Sequence, residues 1–193
     1  MEQNNVLQLR IAETEKYAHV TYFFNSQVEA PFKNEDRMMI DSKKVSSFAE
    51  KPEMSAREVT EAVIKEMNKN KYKLIVQNFA NPDLVGHSGD YKATVEACEV
   101  IDERIGKITE SALKNDYDLL ITADHGNAEY KIYEENGEPC PSHSKNPVIF
   151  MLVSNNFPNA KLAEGRGLQD VAPTILKMMN IQQPSEMTGQ SLI

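Results

Sequence analysis

Three short apolar runs constrain this chain more than any other feature: KLIVQNF at 73–79, DLLITAD at 118–124 and PVIFMLVS at 147–154. A strand with one wet face alternates polar and apolar residues. These runs do not, so they suit a sheet covered on both sides. HVTYFF at 19–24 is β-branched and aromatic and reads as a further strand.

Helical patterns separate the runs. In SAREVTEAVIKEMNKN (55–70), Val59, Val63 and Met67 form one apolar stripe, and Ser55 with Glu58 has the spacing of a capping box. From Tyr91 to about Asn115, Ala97, Ile101, Ile105, Ile108 and Ala112 recur on one face. DVAPTILKMMN (170–180) reads as a helix with Asp170 as N-cap and Pro173 in its first turn. Polar, turn-rich segments lie elsewhere, including a loop through Asn81, Pro82, Gly86 and Gly89. Strands alternating with helices predict an α/β fold, a mostly parallel sheet with helices on both faces. No linker or repeat divides residues 1–193.

Composition excludes several partners. The formal net charge is −8, and no dense Lys/Arg track suggests nucleic acid. No apolar run has the length of a membrane span, and MEQNNVLQLR has no signal-peptide core, so a cytoplasmic location is the default expectation. Cys98, inside a helical pattern, reads as a small core residue, and Cys140 as a loop residue. Both are expected to be free thiols.

The chemistry concentrates in loops. The chain has only four histidines. Asp83 and His87 lie in NPDLVGHSG, Asp124 and His125 in TADHGNAE, and His143 in CPSHSKNP. In open α/β sheets, functional groups gather beyond the carboxyl ends of strands, where both Asp–His pairs fall. Gly86, Gly89 and Gly126 beside them allow the backbone close to a ligand. Mixed carboxylate and imidazole donors suit Mn²⁺ or Zn²⁺, and five such groups exceed one tetrahedral site, which suggests two metals. A lone Asp–His pair is usually a surface turn; two in equivalent places carry the metal reading. His143 could equally be an exposed loop histidine, His19 reads as structural, and Lys16 would ordinarily be a solvated charge.

At these residues the sequence resembles cofactor-independent phosphoglycerate mutase, of the alkaline phosphatase superfamily. The resemblance rests on AETEKYAHVTYFFN (12–25), KPEMSAREVT (51–60), NFANPDLVGHSG (78–89), ITADHGNAE (121–129), SHSKNPV (142–148) and EMTGQSLI (186–193), in the family's order. It implies an alkaline-phosphatase-like fold, and an isomerase of glycolysis and gluconeogenesis. Such an enzyme interconverts 3-phosphoglycerate and 2-phosphoglycerate through a phosphoserine, with two Mn²⁺ ions (Mg²⁺, Co²⁺ or Zn²⁺ as alternatives). It further implies Asp83, His87 and His143 as ligands of one metal and Asp124 and His125 as ligands of the second. Lys16 then stands near the transferring phosphate. The family's first strand, serine nucleophile and inserted phosphotransferase domain have no counterpart here. The expectation is therefore an incomplete fold, a C-terminal portion inactive alone, with a standalone phosphatase or half of a split enzyme as alternatives. The intact family enzyme is expected to be a monomer; this portion, with an open sheet edge, is expected to self-associate. One further departure is Asn25-Ser26-Gln27, where the family has Asn-Gly-Gly.

Overall fold

The computed structural model describes all 193 residues. Two compact units make up the chain, Met1–Val153 and Ser154–Ile193.

The larger unit is built on a parallel sheet of β1 (Gln8–Glu13), β2 (Glu35–Ile40) and β3 (Leu74–Gln77), in the order β2-β1-β3. Every residue of β1 is buried. Its two faces differ. Leu9 and Ile11 pack against Val59, Val63 and Met67 of α2 (Ala56–Met67) and Ile108 and Ala112 of α4 (Tyr91–Lys114), forming the main core. The α2 stripe read from sequence is thus the face that meets the sheet; of the α4 stripe, Ile108 and Ala112 meet it, while Ala97 packs in a second core and Ile105 is only partly buried. Gln8 and Arg10 point the other way. Arg10 donates to Gln8 at 2.7 Å, and its guanidinium lies 4.1 Å from the centre of the Phe24 ring. On the neighbouring β2, Glu35 accepts from Arg37 at 2.6 Å and from Asn25 at 2.8 Å.

A second, smaller core holds α3 (Asn81–Gly86) in place. Met54, Ala80 and Val85 pack there against Ala93 and Ala97 of α4. β4 (Leu119–Thr122) and β5 (Phe150–Val153) form a separate antiparallel pair. The parallel expectation therefore holds for three strands and fails for this pair.

Four further local expectations are corrected. Residues 19–24 are not a strand: α1 (Thr14–Ala18) runs directly into a π-helical turn, His19–Phe23. High β-propensity loses here to a helix already nucleated, and Phe23 and Phe24 are exposed rather than core. The expected loop after β3 is α3, because Pro82 sits at its first turn, where its fixed φ and missing N–H suit a helix. Ser55 does not cap α2; its hydroxyl donates to the Asp41 carbonyl at 2.8 Å, while Glu58 pairs with Lys43. Cys98 is exposed, although both cysteines are free thiols.

In the smaller unit, α5 (Val171–Met178) has Pro173 in its first turn. Asp170 precedes it, but its carboxylate turns outward from the helix. It accepts from Gly167 N at 2.9 Å and Gln190 N at 2.7 Å. Leu192 N donates to Thr174 Oγ1 at 2.9 Å, tying the C-terminal residues to α5.

The loop that departs from Asn-Gly-Gly keeps a backbone shape glycine would favour. Ser26 and Gln27 have φ of 53° and 67°, in the left-handed region. Gln27 N donates to Tyr22 O at 2.8 Å, a bond that closes the helical turn and fixes that conformation. A side chain there costs roughly 1–2 kcal/mol, part of which glycine would forfeit to backbone entropy. Gln27→Gly should therefore stabilise the fold by about 0.5–1 kcal/mol, seen as a higher urea midpoint. A midpoint unchanged or lowered would remove the strain argument.

Candidate metal centre

Helix α3 brings the first two groups together. Asp83 and the residue after its last turn, His87, are four apart, so they share one helical face. His87 Nε2 lies 3.1 Å from Asp83 Oδ1. The loop following β5's partner segment supplies the third group: His143 Nε2 lies 3.0 Å from Asp83 Oδ1 and 3.0 Å from His87 Nε2. Three ligand-type atoms thus converge from two separate stretches of chain.

The hydrogen bonding defines which atoms are free. His87 Nδ1 faces the Pro141 carbonyl at 2.7 Å. A carbonyl only accepts, so Nδ1 carries the proton and Nε2 keeps its lone pair toward the cluster. Lys16 Nζ donates to Asp83 Oδ2 at 2.6 Å, and Asn127 Nδ2 to Asp83 Oδ1 at 2.7 Å. Burial of Asp83 works to raise its pKa, but the Lys16 and Asn127 hydrogen bonds and the Lys16 charge outweigh it, bringing the pKa to about 2. The carboxylate is ionised throughout the neutral range.

His125 joins from the loop after β4. Its ring stacks on His143 at 3.7 Å between centroids and 23° between planes. One donor atom from each of Asp83, His125 and His143 fits within a 4.8 Å span. The set with His87 is tighter, at 3.0–3.1 Å, and is the better candidate for a single ion. Ligand atoms about 2.1 Å from a common ion stand about 3.0 Å apart at right angles and about 3.4 Å apart in a tetrahedron. The observed spacing matches the former. Asp124 is the most open member, its carboxylate 3.7 Å from His125 Nε2 with the side chain 61% exposed.

The six residues singled out in the sequence therefore gather in one region. Lys16 contacts Asp83 directly, and Asp124 reaches the cluster through His125. Sequence reasoning missed the layer behind them. Asn127 is buried, and its Oδ1 accepts from the buried Lys131, which also donates to Gly86 O at 3.1 Å. Glu129 accepts from Asn127 N at 2.8 Å, from Asn146 Nδ2 at 3.0 Å, and from the Ser144 hydroxyl. Two glycines make this fit possible. A Cβ on Gly86 would come within 2.5 Å of Asn127 Oδ1, and one on Gly126 within 2.2 Å of Ser144 Oγ. Their use is close approach of two chains, whereas Gly89, at φ 72°, serves a turn.

Comparison with known proteins agrees with this chemistry. The chain is 56% identical over 186 residues to the 2,3-bisphosphoglycerate-independent phosphoglycerate mutase of Moorella thermoacetica, covering 96% of this chain and 36% of that protein. It is 50% identical to the enzyme of the same name from Clostridium botulinum strain Langeland, over all of this chain and 38% of that protein. The chain thus spans little more than a third of the length of these relatives. In structure it superposes on a phosphoglycerate mutase of Leishmania mexicana, solved at low cobalt concentration, with a TM-score of 0.92 and 28% identity. That match covers 98% of this chain and 37% of that one. A family model described as the metalloenzyme superfamily matches residues 1–183. On the convergent donor set, and on a match over almost its whole length, the chain belongs to the metalloenzyme superfamily.

Proposed function

We propose that this chain is the metal-binding part of a cofactor-independent phosphoglycerate mutase, and that it does not turn over phosphoglycerate alone. The observation that carries the proposal is the convergence of Asp83 Oδ1, His87 Nε2 and His143 Nε2 at 3.0–3.1 Å. Three ligand-type atoms so close are an arrangement that one bound cation would satisfy together. Mixed nitrogen and oxygen donors at right-angle spacing favour Mn²⁺, with Co²⁺ or Mg²⁺ next and tetrahedral Zn²⁺ least suited. Asp124 and His125 are the residues for a second ion. Divalent ions here would supply positive charge for a transferring phosphoryl group and help activate its nucleophile.

The protein residues have separable tasks. Lys16 neutralises Oδ2 of Asp83, which leaves Oδ1 turned toward the two imidazoles. In this reading its ammonium would also stabilise charge on a phosphoryl oxygen. His87 is held in one tautomer by the Pro141 carbonyl, so it offers Nε2 without reorganisation. Two of the loop serines have hydrogen-bond partners of their own. Ser88 Oγ donates to Val85 O at 2.6 Å, and Ser144 Oγ is engaged by Glu129. A mutase also needs groups that grip the glycerate, and the two thirds of the relatives outside this chain's match are the source to expect them from.

Three measurements test the reading. Calorimetric titration of the purified chain with Mn²⁺ should give saturable binding. His87→Ala or His143→Ala should weaken it by more than the roughly 10–100-fold typical of outer-shell substitutions. Binding by the variants equal to that of the parent would remove these residues as ligands. A coupled assay with 3-phosphoglycerate and Mn²⁺ should give no turnover by the chain alone. Turnover abolished by His87→Ala would mean that a nucleophile among these residues has been overlooked. Metal-dependent hydrolysis of p-nitrophenyl phosphate without mutase activity would favour a standalone phosphatase.

A further inference from the structure

Asn127 occupies a place that none of the assigned roles uses. It sits two residues after His125, yet its side chain leaves that loop and reaches α3. Nδ2 donates to Asp83 Oδ1 at 2.7 Å and to the Asp83 carbonyl at 3.2 Å. An amide can be reversed, and a reversed Asn127 would set its oxygen against the Asp83 carboxylate. Lys131 prevents this. Its ammonium can only donate, it is buried, and it bonds Asn127 Oδ1. The main chain is held too, since Asn127 N donates to Glu129 Oε2 at 2.8 Å. Gly86 leaves the side chain room, its hydrogen standing where any Cβ would meet Asn127 Oδ1.

From this geometry we infer that Asn127 is a positioning residue for the metal centre, orienting Asp83 and locking α3 to the loop that carries Asp124 and His125. The inference rests on the metal reading proposed above. Asp83 Oδ1 is the atom nearest both His87 and His143, so a donor fixed on that atom decides where its remaining lone pair points. The two groups of ligands, from α3 and from the loop after β4, then assemble as one unit. Asn127 touches none of the imidazoles and acts only through Asp83 and the chain.

The test is titration of the purified chain with Co²⁺, followed by its visible absorption band, which reports coordination geometry as well as occupancy. Asn127→Ala removes the side chain. Asn127→Ser also removes the donor to Asp83 but leaves a hydroxyl in the buried polar pocket, and serves as the second variant if alanine does not fold. Both variants should bind Co²⁺ about tenfold more weakly, the lower range for an outer-shell partner, and with an altered band. A variant that melts earlier but keeps the parent's affinity and band has lost only packing, and that result overturns the inference. So does a parent that binds with variants that bind equally well. A parent that takes up no Co²⁺ overturns the metal reading itself, and the inference with it.

Discussion

The carboxylate of Asp83 is where the larger unit's distant segments meet. Lys16 lies 67 residues before it, Asn127 44 after and His143 60 after, and all three place a polar atom on it. A half-buried carboxylate would be costly without partners. Here the cost is offset by a buried cation on one oxygen and an amide on the other. The result is a permanently ionised group whose Oδ1 still faces two imidazoles. Moving any of these segments would leave a charge or an acceptor unpaired, so the site and the packing of α1, α3 and the segment between β4 and β5 are one problem in electrostatics.

That dependence explains which parts of the fold were legible. α2 and α4 were readable because their burial is apolar and periodic: Val59, Val63 and Met67 are buried, as are Ala97, Ile101, Ile108 and Ala112, with Ile105 partly buried, while β3 and β4 were readable as unbroken apolar runs. β1 was overlooked although polar and apolar residues alternate over its first four positions, Gln8 to Ile11. Leu9 and Ile11 alternate with Gln8 and Arg10, which are buried by polar pairing on the opposite face. Counting polarity hides such a strand; asking where alternate side chains point reveals it. Residues 19–24 mislead in the reverse sense, since their composition favours a strand while the chain entering them is already helical.

The candidate site divides in the same way. Asp83, His87, Asp124, His125 and His143 could be picked out by residue type and by position after strands. Lys16 could not, because a lysine in AETEKYAH looks solvated until the fold buries it against Asp83; only family resemblance raised it. Asn127, Lys131 and Glu129 lie in an irregular loop with no periodicity, and their partners are far away in sequence. Asp83 and His87 held a signal that went unused, a four-residue spacing after Pro82, which places both on one face of a short helix.

A chain little more than a third as long as its relatives might be expected to depend on the rest of them for its shape. The two cores argue otherwise. β1, α2 and α4 close one around Leu9 and Ile11, and α3 closes the other around Val85 and Ala80, with every participant inside residues 1–153. α3 therefore needs nothing further to present Asp83 and His87. The hydrogen bonds that hold His143 and Asn127 in place are also internal. On the proposed reading, the donor set for a cation is carried on contacts that lie inside residues 1–153.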